Sequence, residues 1–301
     1  MPWWRFLALV LIAIGALVAV AVWYFPATAD FRSRNPFWNG LEAFGNRFQA
    51  RPLSSLADLP PEPQGTLLVV IPYVQPSTED VGRLKAYVER GGTLVLADDF
   101  GFGTGVLEGL GLPVRFSRAP LLDPLFNYRD KWFPLATELA PSPLTEDIST
   151  LALNYATVLQ GDGIKVVASS SPFSYLDLSG NGAREPDEPV GPFPVIGHTS
   201  VGQGQLVLVS DPSMLIRGML DAEDNARFAR NLVGIAGSDA AVFLDQAHLP
   251  PSRLDEAKGV LATVREGLAR PVPLTMMVAM VVIVLMAPLW RQKGVVPWKQ
   301  T

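Results

Sequence analysis

Two apolar segments enclose a longer stretch of mixed polarity, and they limit the folds open to this chain more than any other feature. The first, residues 3–25, contains one charged residue, Arg5, and the second, residues 271–290, contains none. Roughly 20 apolar residues are what an α-helix needs to cross the hydrocarbon core of a bilayer. A backbone in lipid must satisfy its own hydrogen bonds, so each segment is predicted to be a transmembrane helix.

The composition narrows the classes of function. A chain of 301 residues leaves room for one medium-sized domain between two spans. The formal net charge of −5 argues against a surface that binds nucleic acid. Cysteine is absent, which excludes disulfides, thiolate zinc sites and a cysteine nucleophile. We therefore expect a lipid bilayer and another membrane protein as partners, and no nucleic acid.

The orientation in the membrane follows from the way such chains are inserted. Two spans place both termini on one side, and the basic residues that flank the spans are nearly balanced. The first segment resembles a signal-anchor, and long loops translocate largely regardless of charge. We expect both termini in the cytoplasm and the domain outside; the small residues Ala27-Thr28-Ala29 leave signal cleavage as an alternative. The predicted order is an N-terminal anchor (1–29), an extracytoplasmic domain (30–250), an amphipathic juxtamembrane helix (251–270), a second transmembrane helix (271–291) and a cytoplasmic tail (292–301).

The domain between the spans has the pattern of an α/β fold. Residues 66–71 form an unbroken apolar run, typical of a strand buried on both faces. Residues 78–90 carry apolar side chains at helical spacing, and residues 93–97 form the next buried strand. Strand, helix and strand in this order make a βαβ unit with parallel strands. A third buried strand at residues 205–210 extends the pattern, so we predict a mostly parallel sheet flanked by helices on both faces, in a flavodoxin-like arrangement.

The order of these segments resembles the DUF4350 family of membrane proteins. The resemblance covers roughly residues 30–250 and rests on TEDVGRLKAYVERGGTLVLADDFGFGTGVLEGLGL, GQGQLVLVSDPSM, DNARFARNLV and VFLDQAH. It implies a domain similar to the class I glutamine amidotransferase-like fold, and it implies architecture rather than a reaction. Amidotransferase activity itself is excluded, because it requires a cysteine at a strand-to-helix turn. The family often ends its last strand in an acidic residue and paired histidines, whereas this chain has Asp245-Gln246-Ala247-His248 with a single histidine.

A calcium-binding loop is predicted at residues 177–188, DLSGNGAREPDE. An EF-hand-type loop places oxygen ligands at positions 1, 3, 5, 7, 9 and 12, with glycine at position 6 for the sharp turn. Gly182 is that glycine, and hard oxygen ligands suit Ca²⁺. The flanks are not helical, so we expect a lone structural loop; an acidic hairpin without metal is the alternative. The ligand positions are Asp177, Ser179, Asn181, Ala183 (through its carbonyl), Glu185 and Glu188.

Acidic residues follow the predicted strands where α/β proteins bind ligands. In open α/β sheets the binding crevice lies beyond the carboxyl ends of the strands. The pocket candidates are Asp98, Asp99, Asp211, Asp245 and His248. The glycines after Asp99 do not have the dinucleotide-binding spacing, and a tight loop there is the simpler interpretation. Asp211 could equally cap the turn that follows it.

We expect a membrane-anchored, extracytoplasmic, non-catalytic binding or scaffolding domain that is an accessory part of a membrane complex. No G-x-S-x-G turn or complete serine triad is present in the sequence, so no catalytic residue is assigned. Two alternatives stay open. One is a hydrolase or ligand-sensing domain that uses the acids at the sheet edge, and the other is an auxiliary subunit of a transporter.

Overall fold

The computed structural model describes residues 3–269 and residue 279. The chain divides into two compact units, residues 26–251 and a second unit made of residues 1–25 and 252–301. The predicted second span and the tail after it, residues 271–301, lie outside the described residues apart from residue 279.

The described part contains six α-helices and thirteen strands. The helices are α1 (Trp3–Tyr24), α2 (Glu42–Phe48), α3 (Thr78–Glu89), α4 (Gly103–Leu110), α5 (Asn225–Gly234) and α6 (Arg253–Ala269). The strands are β1 (Arg51–Leu53), β2 (Thr66–Val70), β3 (Thr93–Ala97), β4 (Val114–Phe116), β5 (Leu121–Leu122), β6 (Leu135–Leu139), β7 (Leu151–Ala152), β8 (Leu159–Gly161), β9 (Lys165–Ser170), β10 (Tyr175–Leu176), β11 (Pro194–Val201), β12 (Gly204–Val209) and β13 (Ala241–Asp245). Short 3₁₀ helices lie at Leu56–Asp58, Pro143–Thr145 and Pro212–Leu215.

The main sheet has nine strands in the order β1-β13-β2-β3-β12-β11-β9-β6-β7. The pairs from β1 to β12 are parallel, and the pairs from β12 to β7 are antiparallel. The prediction of a mostly parallel sheet is therefore wrong, and the sheet is mixed. The change of direction arises at a two-residue turn between β11 and β12, because so short a connection can join only antiparallel strands. Gly202 in this turn has φ +60°, and a Cβ there would meet the Glu89 carbonyl oxygen at 2.7 Å.

The helices cover both faces of the parallel half, as the sequence predicts. Successive side chains of a strand point to opposite faces. Leu94 and Leu206 pack into a core cluster with side chains of α3 and α4. Val95 and Val207 pack into a second cluster with side chains of α2 and α5. Because both faces are buried, each of β2, β3 and β12 contains an unbroken apolar run of four residues (67–70, 94–97 and 206–209), and this is why the sequence identifies them.

The second unit contains α1 and α6. Residues Phe6–Tyr24 of α1 have a mean hydropathy of 2.9 with no part buried, and in the described part this is the one helix long and apolar enough to cross a bilayer. α6 begins at a capping box in which the Ser252 hydroxyl accepts the Asp255 N–H at 3.0 Å. The Asp255 carboxylate accepts the Ser252 N–H in return, at 3.3 Å. The predicted first span is thus supported by the length and composition of α1.

Candidate functional site

The carboxyl ends of the parallel strands bring three of the predicted acids together. β3 and β12 pair in register up to Ala97 and Val209, so the residues that follow these two positions emerge side by side. Asp98, Asp99 and Asp211 lie at this edge, and all three are buried.

Asp98 is held by the glycine-rich loop that follows it. Its carboxylate accepts the N–H of Gly101 at 2.7 Å and that of Gly103 at 2.8 Å. A Cβ on Gly101 would lie 2.5 Å from the same carboxylate, and one on Gly103 would lie 2.7 Å from it. Burial raises the pKa of Asp98 to about 6, against the lowering effect of the two N–H bonds. The glycines therefore allow the loop to close directly over the carboxylate.

Asp99 is paired with Tyr73, which sequence reasoning missed. The Tyr73 hydroxyl donates to the Asp99 carboxylate at 2.5 Å, and the Phe100 N–H donates to the same oxygen. Burial raises the pKa of Asp99, and burial together with the charge of Asp99 raises that of Tyr73, so the phenol stays protonated. Tyr73 could have been found by its position, because it follows the predicted strand at residues 66–71 just as Asp99 follows the next one.

Asp211 is the most deeply buried of the three acids. Its carboxyl group accepts the N–H of Ser213 and that of Asn154, both at 2.7 Å. Burial raises its pKa to about 8, with a further contribution from the charge of Asp99. The bond to Ser213 caps the 3₁₀ helix Pro212–Leu215. Asp211 is therefore largely neutral at pH 7 and fastens two loops to the sheet edge.

The other two candidates form a second hydrogen-bonded group. His248 Nδ1 lies 2.6 Å from the Asp245 carboxylate, and Nε2 lies 3.6 Å from a carboxylate oxygen of Asp80 at the start of α3. Burial alone lowers the pKa of His248, but the hydrogen bond and charge of Asp245 and the charge of Asp80 outweigh it, so the pKa is raised. The His248 carbonyl also accepts the Val74 N–H at 2.7 Å. This group ties the end of β13 to α3 and to the segment after β2.

A cleft of about 430 Å³ opens beside the Tyr73 group. Three of its lining residues donate hydrogen bonds to buried acids. Tyr73 donates to Asp99, and Asn154 and Ser213 donate to Asp211. The lining residues are Ala29, Asp30, Phe31, Trp38, Asn39, Tyr73, Asn154, Ser213, Ile216, Pro250 and Pro251. The segment of residues 29–39, which forms much of one wall, carried no sequence signal for a site.

The predicted calcium loop is folded around its first and last acids. Asp177 accepts N–H bonds from Gly180 and Gly182, both at 2.8 Å. Glu188 accepts the Leu178 N–H at 2.8 Å and the Glu185 N–H at 3.0 Å. Among the residues that the structure describes, no group of three or more His, Cys, Asp or Glu side chains is arranged to hold a metal ion. The six ligand positions lie in one loop, and their calcium stays a prediction.

The protein is thus an α/β domain with a mixed sheet, and a cleft large enough for a small ligand lies at the carboxyl ends of its parallel strands. The chain belongs to the DUF4350 family, described as a domain of unknown function, whose family model matches residues 33–233. The resemblance to this family is thus confirmed, while the likeness to the amidotransferase fold stays a prediction. No curated protein matches the chain.

One solved structure shares the fold at low sequence identity, and others match less well. The mmIFT52 N-terminal domain matches with a TM-score of 0.54 and 13% identity, over 69% of this chain and 93% of that one. A β-galactosidase from Bacillus circulans sp. alkalophilus matches with a TM-score of 0.35 and 15% identity, over 56% of this chain and 22% of that one. The first likeness shows similarity of fold alone, and the TM-score of the second is too low to show a shared fold.

Proposed function

We propose that this protein is a membrane-anchored, extracytoplasmic, non-catalytic binding domain that serves as an accessory part of a membrane complex. The observation that carries the proposal is the cleft of about 430 Å³ at the carboxyl edge of the parallel strands. Ligands of open α/β sheets bind at this edge. An apolar helix precedes the domain, and a second span after it would hold the domain to the bilayer at both ends.

The state of the acids favours binding over catalysis. Asp98 and Asp211 each accept two backbone N–H bonds, and Asp99 accepts one such bond and the Tyr73 hydroxyl. Both ring nitrogens of His248 face carboxylates. A catalytic acid or base must reach a proton of its substrate, and these groups are already engaged with the loops that they hold. They are better suited to fixing the shape of the cleft.

A structural calcium ion in the loop of residues 177–188 is part of the proposal. It is supported by the spacing of the oxygen ligands and by the glycine at the sixth position. A calcium-rich compartment outside the cell would suit such a loop, which agrees with the proposed orientation.

A hydrolase or ligand-sensing domain is the second candidate, and one observation favours it. Burial raises the pKa of Asp98 to about 6 and that of Asp211 to about 8, and acids with such shifted pKa values are frequent in active sites. Replacing both by asparagine separates the two functions. If the variant folds and the complex still assembles but its activity is lost, the second candidate is favoured; loss of assembly together with activity is the result expected when the two acids only hold the binding cleft in shape.

The first proposal can be tested with single cysteines, because the natural chain contains none. We place one at the cleft, Pro250→Cys, and one at an exposed position outside it, Ser238→Cys. Intact cells are treated with a membrane-impermeant maleimide that carries a photo-crosslinker, and Ser170→Cys, at a fully buried position, serves as the unreactive control.

Both exposed cysteines should react in intact cells, and illumination should give a discrete adduct from Pro250→Cys but not from Ser238→Cys. Labelling of Ser238→Cys only after permeabilisation would refute the extracytoplasmic orientation. Labelled cells that give no adduct from the cleft position, or the same adducts from both positions, would refute the cleft as the binding face.

A further inference from the structure

Several hydrogen-bond donors of the cleft lining are already bonded to groups of the protein. The Tyr73 hydroxyl donates to Asp99, so its remaining lone pairs are available as acceptors. The backbone N–H groups of Asn154 and Ser213 donate to Asp211. The side-chain amide of Asn39 donates to the Asp30 carboxylate and to the Thr28 carbonyl. These donors of the wall are thus already bonded to groups of the protein, so a ligand group without hydrogen-bond acceptors leaves none of them unsatisfied.

The charge of the lining has one sign. Asp30 is an exposed carboxylate on the wall, and the eleven lining residues, all in the described part, include no Lys, Arg or His. Asp99 lies directly behind Tyr73. Arg32, adjacent in sequence to the wall, is outside the lining, and its guanidinium donates to the backbone carbonyls of Gln246, Leu249 and Pro250. Asp30 is therefore the charged side chain of the lining, and it offers a partner to a positively charged ligand.

Aromatic rings complete the cleft. Phe31 and Tyr73 are stacked with their ring centroids 5.4 Å apart, and Trp38 is 67% exposed on the same lining. Phe31 has φ +57°, in the left-handed region that aromatic residues rarely occupy, and the N–H of Phe31 is bonded to the Asn39 carbonyl. Aromatic rings beside a carboxylate are the arrangement that binds organic ammonium groups, through cation–π attraction as well as charge.

From these observations we propose that the cleft bounded by Asp30, Trp38 and Tyr73 binds an alkylammonium group. The inference rests on the proposed function, since it names the chemistry of the ligand at the same cleft. The group is a quaternary, choline-type ammonium, which has no N–H to donate, and its source is either a small molecule or a lipid headgroup; its charge and its N-methyl groups are recognised in the same way in either case. The volume of about 430 Å³ accommodates a trimethylammonium group together with the chain that carries it.

The test is a titration of the full chain in a non-ionic detergent with choline, followed by the melting temperature. The matched control ligand is 3,3-dimethylbutan-1-ol, which has the shape of choline without its charge. Choline at millimolar concentration should raise the melting temperature, because a ligand that binds only the native state stabilises it, and the neutral analogue should not. Glycerophosphocholine forms a further arm, and whether it or choline binds more tightly identifies the source of the group. Nα-acetyl-lysine amide, whose ε-ammonium is primary, should bind more weakly than either.

Two variants locate the effect. Asp30→Asn and Trp38→Ala should each weaken choline binding by about tenfold or more, which corresponds to about 1.4 kcal/mol. The matched controls are Asp162→Asn and Phe37→Ala, exposed residues outside the lining, and these should bind as the natural chain does. All four positions are at the surface, so the variants should fold, and their melting temperatures without ligand verify this.

An equal response to the neutral alcohol, no response to any ammonium ligand, or unchanged binding in Asp30→Asn and Trp38→Ala would overturn the inference. The outcome is separable from that of the proposed function. A photo-adduct from Pro250→Cys without ammonium binding refutes the ligand chemistry alone, whereas the loss of both results refutes the cleft as a binding site.

Discussion

At the scale of single residues, the buried acids hold the loops at the sheet edge in place by accepting hydrogen bonds from their backbone N–H groups. Asp211 is the clearest case, because it is fully buried and joins the segments that contain Asn154 and Ser213. A buried carboxyl group with a raised pKa is protonated in the folded state at a pH where the unfolded chain has already released that proton. The free energy of unfolding then falls as the pH rises.

The pH dependence of stability follows with a definite sign. The pKa of Asp211 is raised from 3.8 to about 8, so its contribution is complete below pH 4 and is lost as the pH rises to 8. Asp98, with its pKa raised to about 6, also lowers the free energy of unfolding as the pH rises from 4 to 6. His248, whose pKa is raised, lowers it further as the pH rises above 6.5. We expect the full chain in detergent to melt at a higher temperature at pH 5 than at pH 8. One proton contributes at most about 1.4 kcal/mol per pH unit.

Asp211→Asn should reduce this dependence. Asparagine cannot ionise, and its NH₂ group leaves one of the two backbone N–H groups without an acceptor. We expect a loss of about 1–3 kcal/mol at pH 5 and a smaller fall in stability between pH 5 and pH 8 than in the natural chain. Melts of Asp162→Asn, at an exposed position, should follow the natural chain at every pH. An unchanged slope in Asp211→Asn would show that Asp211 does not carry the proton.

At the scale of elements, two glycines that look alike in the sequence have opposite roles. A Cβ on Gly40 would lie 2.0 Å from the Asn35 carbonyl oxygen, inside the loop that carries Trp38. A Cβ on Gly82, within α3, would meet nothing within 4 Å. The first glycine is required by close packing of backbone, whereas the second only adds freedom to the unfolded chain.

The two alanine substitutions should therefore change stability in opposite directions. Gly40→Ala should lower the free energy of unfolding by about 1–3 kcal/mol, because the backbone of the loop must move apart. Gly82→Ala should raise it by about 0.5–1 kcal/mol, the gain expected in an exposed helix. Thermal melts of both variants and of the natural chain measure the two changes in stability. A neutral or stabilising Gly40→Ala would contradict the packing of this loop, and a destabilising Gly82→Ala would contradict the open surface of α3.

The elements that the sequence predicts well are those with local signals. β2, β3 and β12 each contain four consecutive apolar residues, and α3 has a capping box at Ser77 that marks its start. The weaker elements depend on distant partners. β4 pairs with β8 and β5 with β10, and these strands have only two or three residues each. Residues 51–65 read as a proline-rich linker, yet Arg51–Leu53 forms an edge strand on β13, where Pro52 is tolerated because edge positions leave N–H groups unpaired.

The candidate site was predictable in the same limited way. The order of the parallel strands predicts that Asp98, Asp99 and Asp211 emerge at one edge of the sheet, and the register of β3 and β12 places them there; their role in binding stays a prediction. The strand order could not show that His248 faces Asp80, because α3 and the end of β13 are distant in sequence. The wall formed by residues 29–39 was equally hidden, since a loop that folds against distant segments has no periodic pattern.

At the scale of the whole molecule, residues 26–251 form one compact unit. A ligand that stabilises one part of this unit should therefore raise the melting temperature of the entire domain. The loop of residues 177–188 lies between β10 and β11, and β11 belongs to the main sheet. In a domain that unfolds cooperatively, the loop cannot keep its ion after the sheet has melted. Calcium bound only by the native state therefore raises the melting temperature of the domain as a whole.

The calcium prediction is tested by melts of the full chain in detergent with millimolar calcium and with chelator. We expect a single transition that moves to higher temperature with calcium; at a hundredfold excess over Kd the stabilisation is about 2.7 kcal/mol. Glu188→Gln should abolish the shift, because the twelfth position supplies the bidentate carboxylate. Glu138→Gln, an exposed glutamate on β6, is the matched control and should keep it. The absence of a shift in the natural chain would mean that the loop is an acidic hairpin held by its own N–H bonds to Asp177 and Glu188, and it would remove the calcium argument for an extracytoplasmic domain.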